Sequence, residues 1–297
     1  SARPERPAAA LLAAASLAVL VVACSTDEVA VVANAAPDRV IVGPQGAVGQ
    51  FVVECELSHL APDDPIVHPG HAGASHLHQF FGSVGVRADS TYEEAASSET
   101  TCGQQGDSAS YWAPVLLLDA REPVDAIRAV AYYRAGPGVE PTSVEPYPPG
   151  MMLVAGDATA VEPQPLSVVA WSCGTGSVRE ATPPDCTGAA SLRMIVTYPD
   201  CWNGVTITST DWADPAARHA VYSDRGRCPA SHPVHVPQLQ FAVDYPPVAA
   251  DRLDGLALSS GDIHSGHADF WNTWQQAKLT NEIEVCIHRD LVCNVSR

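Results

Sequence analysis

Eight of the nine cysteines, Cys55, Cys102, Cys173, Cys186, Cys201, Cys228, Cys286 and Cys293, spread across the chain after Cys24 with no C-x-x-C pair among them, limit its fold more than any other feature. Without paired C-x-x-C spacing, a cysteine zinc site is disfavoured. An even number in an exported chain implies as many as four disulfides. Spacing leaves the connectivity open, although Cys173 with Cys186 and Cys286 with Cys293 are close enough in sequence to pair locally.

Export is expected from the first residues. Arg3 and Arg6 precede an apolar run from Ala8 to Ala23, which ends at Val21-Val22-Ala23-Cys24-Ser25. This arrangement resembles a bacterial lipoprotein signal, with residues 1–23 as the signal and Cys24 as the lipidated first residue of the mature protein. The apolar run is too short to span a bilayer comfortably. Residues 24–38 read as a tether and residues 39–297 as one extracellular β-rich domain. The expected place of the protein is the outer face of the cytoplasmic membrane, held there through lipidated Cys24. The net charge of −18 becomes −19 once residues 1–23 are set aside. Such acidity argues against nucleic acid as a partner, because the two would repel at long range.

Short runs rich in Val, Ile, Thr and aromatics recur between turn signals. They are Gln50–Leu57, Pro114–Leu118, Ala126–Tyr133, Met151–Ala155, Leu166–Cys173, Leu192–Tyr198, Val205–Ser209, Gln238–Tyr245 and Gly255–Ser259. No regular strand-helix alternation links them, so the expected fold is mainly β: an antiparallel β-sandwich or jelly-roll-like single domain, disulfide-stapled, with a few short helices. Ser90-Thr91-Tyr92-Glu93 has the S-x-x-E form of a capping box and predicts a helix reaching Ala95 or Ser97. Trp271, Trp274, Leu279, Ile283 and Ile287 recur at near-helical spacing and predict a last helix starting at Asp269.

Histidines carry the candidate chemistry. His76 and His78 form an H-x-H pair, and in an extended strand such residues share one face. A second cluster contains Asp262, His264, His267 and Asp269, and a third contains His232 and His235. Convergence of His76, His78 and His267 would suit zinc or another divalent metal. Without a metal, the same residues with Asp269 would form a polar site, in which a neutral imidazole and a carboxylate suit proton transfer. His76, His78, His267 and Asp269 are therefore the candidate catalytic residues. The competing reading is that H-x-H and H-x-D pairs brace loops through backbone hydrogen bonds. Tyr111, Trp202 and Trp212 are candidates for stacking on sugar rings, while Tyr111-Trp112, Trp271 and Trp274 equally fit core packing.

The ordered motifs Asp64-Pro65-Ile66-Val67, Ser75-His76-Leu77-His78, Thr100-Thr101-Cys102, Ser110-Tyr111-Trp112-Ala113-Pro114, Tyr147-Pro148-Pro149-Gly150, Pro199-Asp200-Cys201-Trp202-Asn203-Gly204 and His267-Ala268-Asp269-Phe270 resemble a secreted domain of unknown function shared by actinobacteria and fungi. The resemblance runs from about residue 50 to residue 288. Fungal relatives joined to carbohydrate-binding modules imply a cell-wall glycan or other polysaccharide as partner, and the family supplies no catalytic residues to transfer. Locally, Gly73–His78 is similar to the H-x-H segment of zinc endopeptidases that cut peptidoglycan. That likeness implies an upstream H-x-x-x-D pair, for which His59 and Asp63 are the candidates. The expected function is engagement or processing of a polysaccharide, with a non-catalytic binding protein and a zinc-dependent peptidoglycan hydrolase as alternatives.

Overall fold

Gln238–Tyr245 alternates Leu239, Phe241, Val243 and Tyr245 with Gln238, Gln240, Ala242 and Asp244, and this period of two sends one set inward and the other outward. The strand is the hub of a seven-stranded sheet in the order Val40–Ile41, Val292–Cys293, Gln50–Cys55, Arg128–Arg134, Gln238–Tyr245, Leu192–Thr197, Val169–Cys173. All its pairings are antiparallel except that of Val292–Cys293 with Gln50–Cys55. The structure is a computed structural model that describes residues 40–41 and 49–294. The expected signal, Cys24 and the tether lie outside the described residues.

A second sheet has five antiparallel strands in the order Leu57–Ala61, His78–Gly82, Ser110–Pro114, His267–Trp271, Met152–Gly156. Its inward residues Phe81, Tyr111, Ala113, Leu153, Ala155 and Phe270 join Phe51, Val53, Tyr133, Met194, Val196 and Phe241 of the first sheet in one core. Tyr111 stacks on Phe241 with ring centroids 5.4 Å apart. The fold is therefore mainly β, two antiparallel-rich layers around one core, with few short helices.

The outer face of the five-stranded sheet is also covered. Phe80, Trp112 and Trp271 point away from the main core and pack with Ile66, Val86 and Ala95 in a second cluster. The segments 62–76 and 83–98, on either side of the His78–Gly82 strand, thus lie over the sheet, which explains why His78–Gly82, Ser110–Pro114 and His267–Trp271 are buried at every position. These strands show no polar-apolar alternation and were not among the expected ones.

The last helix also differs from expectation. His267–Trp271 is a strand, and the helix runs from Gln276 to Glu282 before a π-helical turn at Ile283–Ile287. Pairing on both sides holds residues 267–271 extended, so Asp269 sits in mid-strand instead of capping a helix. The early helix is Tyr92–Ser97, and its capping box is Thr91 with Glu94, one residue later than expected. Val205–Ser209 forms no strand, because the Asn203 side chain accepts the Val205 and Thr206 amides and closes a turn.

The eight cysteines among the described residues are paired: Cys55–Cys102, Cys173–Cys186, Cys201–Cys228 and Cys286–Cys293. Among the described residues, no helix is long and apolar enough to cross a membrane.

Candidate metal centre

Three imidazoles meet on the covered face of the five-stranded sheet. His78 pairs with Pro114 across one strand boundary, and His267 pairs with Gly156 on the far side. Continuing the Asp269–Trp112 register places Pro114 opposite His267 as well, between the two histidine strands. His76 reaches the same point from the chain just before His78, with their ring centroids 4.2 Å apart.

Nε2 of His76 lies 3.0 Å from Nε2 of His267, and Nε2 of His78 lies 3.4 Å from the same atom. The opposite ring nitrogens of two of these residues are committed. Nδ1–H of His78 donates to the Asp63 carbonyl at 2.9 Å, and Nδ1–H of His267 donates to the Ser265 carbonyl at 2.8 Å. A carbonyl only accepts, so each neutral ring must carry its lone pair on Nε2. A proton on His76 Nε2 can satisfy its contact with His267. The contact between His78 and His267 still leaves two lone pairs face to face.

Protonation does not relieve this conflict. Burial, with the neighbouring histidine His267, holds His76 down to about 4, and burial holds His267 down to about 4. Burial followed by the charges of His76 and His267 drives His78 well below its usual value. Removing an imidazolium from water is costly, and placing a second beside it adds repulsion. At neutral pH all three rings are uncharged donors of lone pairs.

Two carboxyl groups adjoin the trio. Donor atoms of Asp64, His78 and Asp269 lie within 4.8 Å of one another. Oδ1 of Asp64 accepts the Ile66 and Val67 amides, both at 2.9 Å. Both oxygens of Asp269 are buried without a hydrogen-bond partner among the described residues. Burial, then the nearby Asp64, pushes the Asp269 carboxyl well up, and burial also raises Asp64. Orphaned buried carboxylate oxygens beside converging imidazole lone pairs are the groups a cation would satisfy.

The chain belongs to the DUF1996 family. The model of this domain of unknown function (DUF1996) matches residues 64–274. That span contains all five groups just described. No curated protein and no solved structure matches the chain.

In this DUF1996 domain His76 and His267 open onto a cleft of about 210 Å³ lined also by Asp64, Val67, His68 and Asp269, with His78 buried behind them. Val67 also borders a groove of about 580 Å³ that runs past Met152 to Trp212. Trp212 is half-buried, with the Arg218 guanidinium 5.9 Å from its ring centre. Of the three aromatic candidates, it is the one the structure places beside the cleft. Trp202 belongs to a separate short sheet with Ala220–Val221 and Val234–His235, and its indole donates to the Thr206 carbonyl. Tyr111 is fully buried between the main sheets, bonded to Asp107 and Tyr133, and cannot face a ligand.

The other histidines do not join the trio. His264 pairs with Asp262 at 2.7 Å, while His232 bonds the Arg218 carbonyl. His235 lies 3.2 Å from Cys228, whose sulfur is already in a disulfide. His59 stacks on Phe80 and contacts the Val86 carbonyl, and Asp63 binds the Gly73 amide. The upstream pair required by the peptidoglycan-endopeptidase likeness is therefore not assembled, and His267 supplies the third imidazole instead. Sequence reasoning did not place Pro114 or Gly156 at the site and could not pair Asp64 with another carboxylate; Asp64 and Pro114 lie in the ordered motifs, the signal that marked them.

Proposed function

We propose that His76, His78 and His267 hold one divalent transition-metal ion, with zinc favoured by the all-imidazole donor set, and that the centre processes a glycan lying along the cleft. The observation that carries this reading is the approach of the His78 and His267 Nε2 lone pairs while both Nδ1–H groups are tied to carbonyls. Zinc–nitrogen bonds of about 2.0–2.1 Å place tetrahedral ligands about 3.3–3.4 Å apart. The observed separations of 3.0 and 3.4 Å lie close to that edge. Backbone carbonyls on the second nitrogen also match how ligating imidazoles are usually oriented.

Three protein ligands beside an open cleft fit a catalytic site better than a structural one, which would be closed by a fourth. A divalent ion there supplies electrophilic activation of a substrate oxygen and of water. The buried carboxyl of Asp269 is positioned to exchange a proton at that locus, and Asp64 restrains its charge. The long groove and the half-buried Trp212 indole suit an extended sugar chain. A signal with Cys24 as its lipid anchor would hold this activity at the outer face of the cytoplasmic membrane, within reach of wall or environmental glycans.

The competing reading is a non-catalytic surface protein whose histidines brace the covering segment, as the His78 bond to the Asp63 carbonyl does. Polysaccharides incubated with the disulfide-intact chain distinguish the two when new reducing ends are measured with and without chelator. The proposal expects cleavage that chelation stops and zinc restores. Unchanged glycan turnover or binding in a folded His76→Ala/His267→Ala variant would overturn it.

A further inference from the structure

The opposite layer carries a second cleft, of about 580 Å³, on the outer face of the seven-stranded sheet. Its lining includes Arg134, Arg179 and Arg225 and contains no aspartate or glutamate, although Arg225 pairs with its neighbour Asp224 at 3.3 Å. That is unexpected in a chain with 34 acidic and 16 basic residues. Arg193, nearby on the same sheet, shows how this protein treats a structural arginine: its guanidinium grips Asp244 through two bonds of 2.6 and 2.7 Å and touches the Tyr132 hydroxyl. Arg134 has instead a neutral partner, the Gln240 side chain at 2.7 Å, and Arg179 bonds the Gly176 carbonyl at 3.1 Å. Among the described residues, neither forms an ion pair with a carboxylate. Burial and the neighbouring Arg179 cation lower the Arg134 pKa, and burial with Arg193 lowers that of Arg179. Holding two partly desolvated guanidinium groups together costs stability and brings no internal charge pair in return.

The rest of the cleft narrows the ligand. Tyr222 and Leu166 are exposed apolar surfaces along its wall, while Gln238 and Gln240 present amides on its floor. A pyranose ring has an apolar face and hydroxyl edges that suit such walls and amides, and guanidinium forks recognise a carboxylate in a bidentate manner. We propose that this cleft binds an acidic saccharide, a uronate-type residue whose carboxylate is held by Arg134 and Arg179. The site lies on the other sheet from the histidine trio and does not depend on a metal there.

Binding is tested by titrating the full, disulfide-intact chain with oligogalacturonate, with a neutral oligosaccharide of equal length and with inorganic phosphate. Arg134→Gln/Arg179→Gln is measured beside the wild type. The expected result is binding of oligogalacturonate alone, weakened at least about tenfold in the double variant, with an unchanged or higher melting temperature. Equal binding of the neutral oligomer, phosphate binding as tightly as oligogalacturonate, or no oligogalacturonate binding would each overturn the assignment. A melting temperature lowered by several degrees in the variant would show that the arginines serve the fold, and would overturn it as well.

Discussion

Asp107 holds Tyr111, whose hydroxyl meets that of Tyr133 in the other layer, and replacing it by asparagine should change how stability depends on pH. The residue is fully buried; it accepts the Tyr111 hydroxyl at 2.8 Å and the Ala109 amide at 2.9 Å. Burial raises its carboxyl from 3.8 to about 7, and the two hydrogen bonds only partly oppose the rise. Between those values the folded chain retains a proton that the unfolded chain releases, so stability falls as pH increases through that window. A gap of about 3 pH units corresponds to about 4 kcal/mol. Asparagine keeps an acceptor for the Ala109 amide but cannot ionise. Urea unfolding of both proteins should therefore show wild type losing about 4 kcal/mol relative to Asp107→Asn between pH 4 and pH 8. Parallel stability profiles would refute the reasoning, because they would mean that Asp107 titrates alike in both states.

Gly156→Ala should disturb the site while sparing the main core. Gly156 has φ +85°, and an added Cβ would meet the Gly266 carbonyl and lie 2.7 Å from His267 Cα; zinc uptake should fall by at least about tenfold, as metal analysis of the folded variant would show. Removing the Cys55–Cys102 bridge by a double alanine substitution should cost about 4 kcal/mol in chemical denaturation, since it opens a loop with a sequence separation of 47. Trp212→Ala should weaken binding of a cleaved polysaccharide by about tenfold, whereas Trp202→Ala should leave it unchanged in the same titration, because Trp212 lines the groove by the cleft.

Half of the sandwich was legible in the sequence for a physical reason. Gln238–Tyr245 faces a hydrophobic core on one side and a polar cleft on the other, so its alternation is visible. His78–Gly82, Ser110–Pro114 and His267–Trp271 are buried on both faces, and the period-two signal disappears. The near-helical spacing of Trp271 and Trp274 was misleading because the first packs in the outer cluster and the second in the main core. H-x-H marked a shared face for His76 and His78, since that follows from strand geometry alone. The approach of His267 and the isolation of Asp269 depend on pairings across distant strands and on the covering segments at residues 62–76 and 83–98. Neither leaves a local pattern. Tyr111 shows the reverse case: an aromatic next to a motif end looks available for sugar stacking until the second sheet is in place.

Zinc titration of the disulfide-intact chain at pH 7, read by calorimetry and by elemental analysis after desalting, tests the trio most directly. The account predicts one ion per chain in the wild type, and loss of that ion in His78→Ala and His267→Ala variants that remain folded. A folded wild-type chain that takes up no zinc, cobalt, copper or other divalent transition metal, or one that binds it equally well without His78 and His267, would contradict the central claim.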